Sequence, residues 1–262
     1  MAAGAKIDPM HQFMIQPIAG NLEAGNPFVF TNSALWTLVV LALIWLFMMG
    51  GMKRDLAPQP NLAGRWQVMV EGLIGFCDDM VHASIGPEGR KYLPWVFTSF
   101  VFLLFANLMG NMPLAAFGIH PFTVTSQFTF TGVMSLISFA IVLGVGFWKH
   151  GLHFFTLFTP PGVHWIGKIL LFPIEFISFM VRPFSLGLRP FIAMFAGHIL
   201  VDIFGNFIVQ GLQAGGGGIG VSILAFFFVA FINILELLVA AIQAYVFAIL
   251  TALYINDAVN LH

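Results

Sequence analysis

Arg182-Pro-Phe-Ser-Leu-Gly-Leu-Arg189-Pro-Phe-Ile-Ala-Met-Phe-Ala-Gly197-His198-Ile-Leu decides the fold, because it sets two arginines and a histidine inside an apolar run covering residues 169–209. Hydrocarbon cannot solvate a guanidinium, and arginine does not shed its proton to escape the cost. For a charge at mid-membrane that cost begins at about 3 kcal/mol and rises well beyond it. Arginines so placed face protein or trapped water and mark an ion path, unless they reach a headgroup layer from a helix end. Arg182, near the start of the run, is open to either reading. Arg189 has apolar sequence on both sides and favours the first.

The composition points the same way. Of 262 residues, 59% are hydrophobic and 8% charged, with a mean hydropathy of +0.94. A soluble domain carries about 25% charged residues. An all-α polytopic membrane protein is therefore expected, its surface turned to the lipid bilayer. A net charge of −1 suggests no nucleic-acid partner. The lone cysteine, Cys77, excludes an internal disulfide and a cysteine metal cluster. Residues 1–32 read as an extracytoplasmic segment and 33–262 as a single membrane domain. No basic stretch runs directly into an apolar one near the N-terminus, so no cleaved leader is expected.

Working outward from the arginines, apolar runs at residues 34–50, 94–112 and 128–148 each suit one crossing, since about 20 helical residues span a ~30 Å core. Between the first two, residues 62–85 place Leu62, Trp66, Met69, Val70, Leu73, Phe76, Cys77, Met80 and Val81 on one helical stripe, with Arg65, Glu71, Asp78 and Asp79 elsewhere. A helix with a polar face predicts a position along the membrane interface, or against a partner's soluble portion. The last two runs, 169–210 and 219–258, are separated by a glycine-rich stretch from Gly211 to Gly220 that should break the helix. Runs of about 40 residues make ~60 Å of helix, twice the hydrocarbon thickness. They predict a long hairpin that tilts steeply, bends or breaks, with Pro183 and Pro190 as bend sites.

Basic residues set the orientation. Lys53, Arg54, Arg65, Arg90 and Lys91 lie between the first and second crossings, and Lys149 and Lys168 between the third and fourth. The linker at 113–124 and the glycine-rich turn have no lysine or arginine, and the N-terminal tail has only Lys6. Five passes result, with the N-terminus outside and the C-terminus cytoplasmic. The polar N-terminal tail favours a bacterial inner membrane, with a mitochondrial inner membrane as the alternative.

Helical spacing sorts the polar groups of the hairpin. Arg189, Arg182, Ser178 and Glu175 fall within roughly 40° of one face, while His198 lies near the opposite face with Asp202 one turn beyond it. On the last helix Glu236, Gln243 and Tyr254 make a single stripe. Folding the two runs about Gly216 sets His198 near Glu236, Arg189 across from Gln243, and Glu175 near Asp257. The pattern reads as two proton entrances separated by a fixed positive charge. Plainer readings stay open: Glu236 as a hydrogen-bonded carboxyl tying two helices, and His198 as a core histidine. No cofactor is expected, since paired haem ligation needs two deep histidines and only His198 is deep. A self-contained ion-coupled transporter could use the same charges. It should show a substrate pocket and usually repeated halves, and the sequence displays neither.

Ser-Leu-Gly-Leu-Arg189 followed by Met-Phe-Ala-Gly197-His198 resembles the signature of subunit a of the F-type ATP synthases. Asn107-Leu-Met-Gly-Asn-Met-Pro113, Phe-Thr-Val-Thr125 and Glu236…Gln243…Tyr254 are similar to that family's motifs at matching intervals. The resemblance implies a non-catalytic stator against which a ring of c subunits turns, with b-type peripheral stalk subunits and the rest of the ATP synthase as partners. It implies that Arg189 is the essential arginine and Gln243 its partner. His198 and Glu236 would line an outer half-channel, and Glu175, with Ser178 beside it, an inner one. Asn107, Arg182, Asp202, Tyr254 and Asp257 are candidates for a secondary polar path. One departure is plain: after Arg189 the chain reads Pro190-Phe-Ile-Ala193-Met, where the family usually has Leu-Phe-Gly/Ala-Asn-Met.

Overall fold

Six α-helices account for most of the residues that a computed structural model of the chain describes, which are 17–19, 30–51, 64–112, 122–158 and 165–260. In order they are α1 (Asn32–Gly51), α2 (Arg65–Ile85), α3 (Leu93–Gly110), α4 (Phe128–His150), α5 (Trp165–Ala214) and α6 (Gly218–Val259). A short antiparallel pair, β1 (Pro17–Ala19) with β2 (Phe30–Thr31), leads into α1. The sequence pattern did not foretell it, because strands of three and two residues carry no usable alternation. The remainder of the N-terminal segment, Lys53, Arg54 and Leu62, and most of the linker at 113–124 lie outside the described residues.

Five helices, α1, α3, α4, α5 and α6, are long and apolar enough to cross a membrane. The protein is an all-α polytopic membrane protein whose last two helices form a long hairpin. At about 1.5 Å per residue, the 50 residues of α5 extend ~75 Å and the 42 of α6 ~63 Å. Three prolines, Pro173, Pro183 and Pro190, lie within α5, yet it is helical from end to end. In lipid a broken backbone would leave polar groups with nothing to bond, so helix continues through the prolines even though each lacks the N–H that would bond four residues back.

The turn is tighter than the glycine content suggested. Helix persists through Gly211 to Ala214 and resumes at Gly218, leaving only residues 215–217 to reverse the chain. Gly215 (φ 61°) and Gly216 (φ 42°) take the left-handed conformation that side chains disfavour, which is why glycine is needed there. The flanking glycines instead permit helix, because the hairpin packs them. Ser222 Oγ donates to the Ile208 carbonyl at 2.9 Å, fastening the two helices next to the turn.

Helix α2 uses its apolar stripe on two surfaces. Val70, Cys77, Met80, Val81 and Ile85 are buried, whereas Trp66, Met69 and Phe76 are exposed. The Trp66 indole donates to the Phe47 carbonyl at 2.9 Å, joining α2 to α1. Burial pushes the Cys77 thiol up to about 11, so at neutral pH it is an uncharged packing group. Around it the core gathers Val96, Phe100, Val101 and Leu103 of α3, Phe179 and Leu186 of α5, and Phe247 and Ile255 of α6. Ala240, Ala244, Ala248 and Ala252 form a fully buried row along α6. Small side chains at four-residue intervals let neighbouring helices come close, the usual basis of helix association in membranes.

Candidate functional site

The hairpin brings the predicted polar residues together in two places and leaves one charge alone between them. The first place is a buried cluster in the half of the hairpin nearer the turn. His198 of α5 faces Glu236 of α6, with Nδ1 and Oε1 3.6 Å apart and only 14% and 4% of the two side chains exposed. Thr123, in the segment before α4, meets the other imidazole nitrogen, Oγ1 to Nε2, at 2.7 Å. The approach depends on Gly197, where any Cβ would collide with the Glu236 carboxyl. A neutral imidazole donates from one nitrogen and accepts at the other, and a hydroxyl can do either. Thr123 and His198 are hydrogen-bonded, while Glu236 Oε1 stands just beyond hydrogen-bond distance of Nδ1 and has no hydrogen-bond partner among the described residues. Asp202 lies one turn past His198, partly buried.

The second place lies toward the other end of the hairpin. Arg182 Nη1 binds Asp257 Oδ2 at 2.6 Å. The same guanidinium lies 5.0 Å from the Tyr254 ring and 5.4 Å from that of Phe179. Cation and π-face attract, so the rings help hold a charge that hydrocarbon would not. Asp257, expected near Glu175, is engaged by Arg182. Stepping back from His198 to Arg182 on α5, and forward by the same number from Glu236, arrives at Ala252; Asp257 is five residues further. By the same count Glu175 falls opposite Val259, two residues from Asp257; what it lacks is the opposite charge, since two carboxylates repel where a guanidinium and a carboxylate attract. Glu175 is half-buried and Ser178 exposed, both without a hydrogen-bonding partner among the described residues.

Arg189 stands between. It is exposed on the hairpin surface, and among the described residues no hydrogen bond or ion pair engages it. The expected partnership with Gln243 is not formed within the chain, since Gln243 Oε1 is a buried atom without a hydrogen-bond partner. Pro190, next to the guanidinium-bearing residue, is buried within continuous helix. Asn107 is fully buried and its amide donates to the Ala240 carbonyl at 3.2 Å, which sets it against α6 one turn before Gln243. Its own Oδ1 and the amide of Asn111 lack partners. Among the described residues no group of three His, Cys, Asp or Glu side chains could hold a metal ion.

Thr123 is the participant that residue spacing did not single out. It sits in an irregular segment, where no helical period relates it to His198. The only pointer was its place in the Phe-Thr-Val-Thr125 motif.

The family described as ATP synthase A chain matches residues 34–256, which include every polar residue discussed above except Asp257. The protein named ATP synthase subunit a in Sphingopyxis alaskensis is 57% identical, with 100% of this chain and 99% of the relative aligned. The one so named in Rhizorhabdus wittichii is 55% identical over 100% and 99% of the two chains. The Zymomonas mobilis protein of that name is 48% identical over the whole of both. With a family match over most of its length and relatives aligned end to end, the chain belongs to the ATP synthase A chain family.

Proposed function

We propose that this chain carries protons through the membrane sector of an ATP synthase, with Arg189 presented to a ring of c subunits between two offset half-channels. The observation that carries the proposal is the contrast between the two arginines. Arg182 is satisfied inside the chain by Asp257, while Arg189, seven residues on, has no acceptor among the described residues. A permanent cation in an apolar helix needs a carboxylate, and a ring that offers one at every step would supply it from outside.

The device then follows from electrostatics. A ring carboxylate facing Arg189 is held ionised, because a nearby cation favours the charged form. On turning into lipid it must be protonated, since a bare carboxylate there is costly. Thr123, His198 and Glu236 line the path that loads it from one side. Glu175 and Ser178 line the path that unloads it on the other, with Asn107 and Gln243 flanking the arginine. Arg189 also repels a proton passing straight between the two paths. Each charge crossing 100 mV releases about 2.3 kcal/mol, the work that turns the ring. The chain makes and breaks no covalent bond of substrate.

The basic residues support an N-terminus outside and a C-terminus in the cytoplasm. The bacterial relatives favour the bacterial inner membrane over the mitochondrial one. Substituting Arg189→Ala in the assembled synthase should abolish ATP synthesis driven by a proton gradient in membrane vesicles. Normal coupled synthesis by that variant would overturn the proposal.

A further inference from the structure

We propose that a groove between α4 and the residues just before α3 is a binding site for an anionic phospholipid. The groove has a volume of about 610 Å³ and lies where α3 begins and α4 ends. Its mouth is cationic. Lys91 is exposed and has no partner among the described residues. Lys149 meets Glu88 at 3.3 Å, but both side chains are largely in the open, at 41% and 64% exposure, so the pair is weak and easily exchanged for a better anion. The neighbouring Arg90 is already engaged with Asp78 and is not counted. Two lysines against one carboxylate leave the mouth with an excess of positive charge.

The rest of the groove says that the anion has a tail. Ile141, Gly144, Val145 and Trp148 line it at three- and four-residue steps, one stripe leading from the basic end of α4 toward mid-helix. That stripe is about 10 Å long, enough to seat the upper part of an acyl chain. Nothing approaches the Cβ position of Gly144, so the floor is open. Trp148 is 94% exposed and Tyr92 stands across from it. Indole and phenol at a helix end mark the headgroup level of a bilayer. A soluble phosphate would use the lysines and leave this apolar track uncovered. An amphiphile with an acidic headgroup uses both, as basic pockets between membrane helices do. The groove shares no residue with the path around Arg189, so the proposal stands apart from that reading.

The test uses the intact synthase in phosphatidylcholine vesicles containing a trace of phosphatidylglycerol with a photoreactive acyl chain, and maps the adducts by mass spectrometry. Adducts on residues 141–148 should be several-fold more abundant than those from a matched photoreactive phosphatidylcholine. Lys91→Gln and Lys149→Gln should each lower the phosphatidylglycerol adduct by about fivefold and leave the phosphatidylcholine adduct unchanged. Lys91→Arg and Lys149→Arg should keep it. Equal labelling of the wild-type complex by the two probes would overturn the proposal without reliance on any variant. So would the absence of phosphatidylglycerol adducts on residues 141–148 while other lipid-facing residues of the complex are labelled, as a groove filled by another subunit would give.

Discussion

Two arginines seven residues apart meet opposite fates, and the difference is one of supply. Arg182 lies within reach of Asp257 and two aromatic faces, so its charge is spent inside the chain. Arg189 has none of these among the described residues, and its side chain is exposed on the surface of the hairpin. At the same scale, the hydroxyl of Thr123 meets Nε2 of His198, so that Nδ1 is the nitrogen turned toward Glu236. Thr123→Val keeps the shape and removes that hydrogen bond. ATP-driven proton pumping, followed by quenching of a pH-sensitive dye in inverted vesicles, should fall several-fold, whereas Thr123→Ser should pump nearly as wild type. Equal pumping by both variants would remove Thr123 from the path. The facing of His198 and Glu236 was legible in the sequence because each lies at a fixed helical count from one glycine turn. Thr123 was not, since an irregular segment has no period to count by.

At the level of elements, the hairpin is pinned at two points, by Ser222 beside its turn and by the ion pair of Arg182 with Asp257 far from it. The distant pin sets how far α5 slides along α6, and so where Arg189 stands relative to Glu236 and Gln243. Arg182→Gln should cost about 1 kcal/mol, as expected for a partly exposed pair. In the detergent-solubilised complex this should appear as thermal inactivation some 2–4 °C lower. Adding Asp257→Asn to it should recover part of the loss, because the carboxylate then no longer lacks a partner. A double variant less stable than either single one would show that the pair does not act as a unit. The five crossings and the amphipathic α2 were readable from composition and period. The extent of the turn was not: glycines that break an isolated helix remain helical once a partner helix packs against them.

The whole molecule leaves much of its apolar surface without a partner. Phe226, Phe227, Phe231 and Ile234 of α6 are each more than 60% exposed, and Arg189 shares the hairpin with them. A self-contained transporter would bury its permanent charge between its own helices, whereas Arg189 is exposed on this chain. Reconstituted alone in vesicles, it should drive no uphill proton movement, and coupled transport should return only with the ring and the rest of the synthase. Uphill transport by the isolated chain would favour the transporter reading. The family and the membrane class were legible from scattered motifs and hydropathy; the isolation of Arg189 was not, because spacing places residues on a face without saying what that face meets. The unbroken course of α5 has a mechanical corollary. A rotor pressing sideways on Arg189 would load one continuous helix, tied to α6 on either side of it at Arg182 and Ile208. Stiffness would then return the guanidinium to the same spot after each passing carboxylate, so that successive steps are alike and little of the thrust is lost in flexing the stationary part.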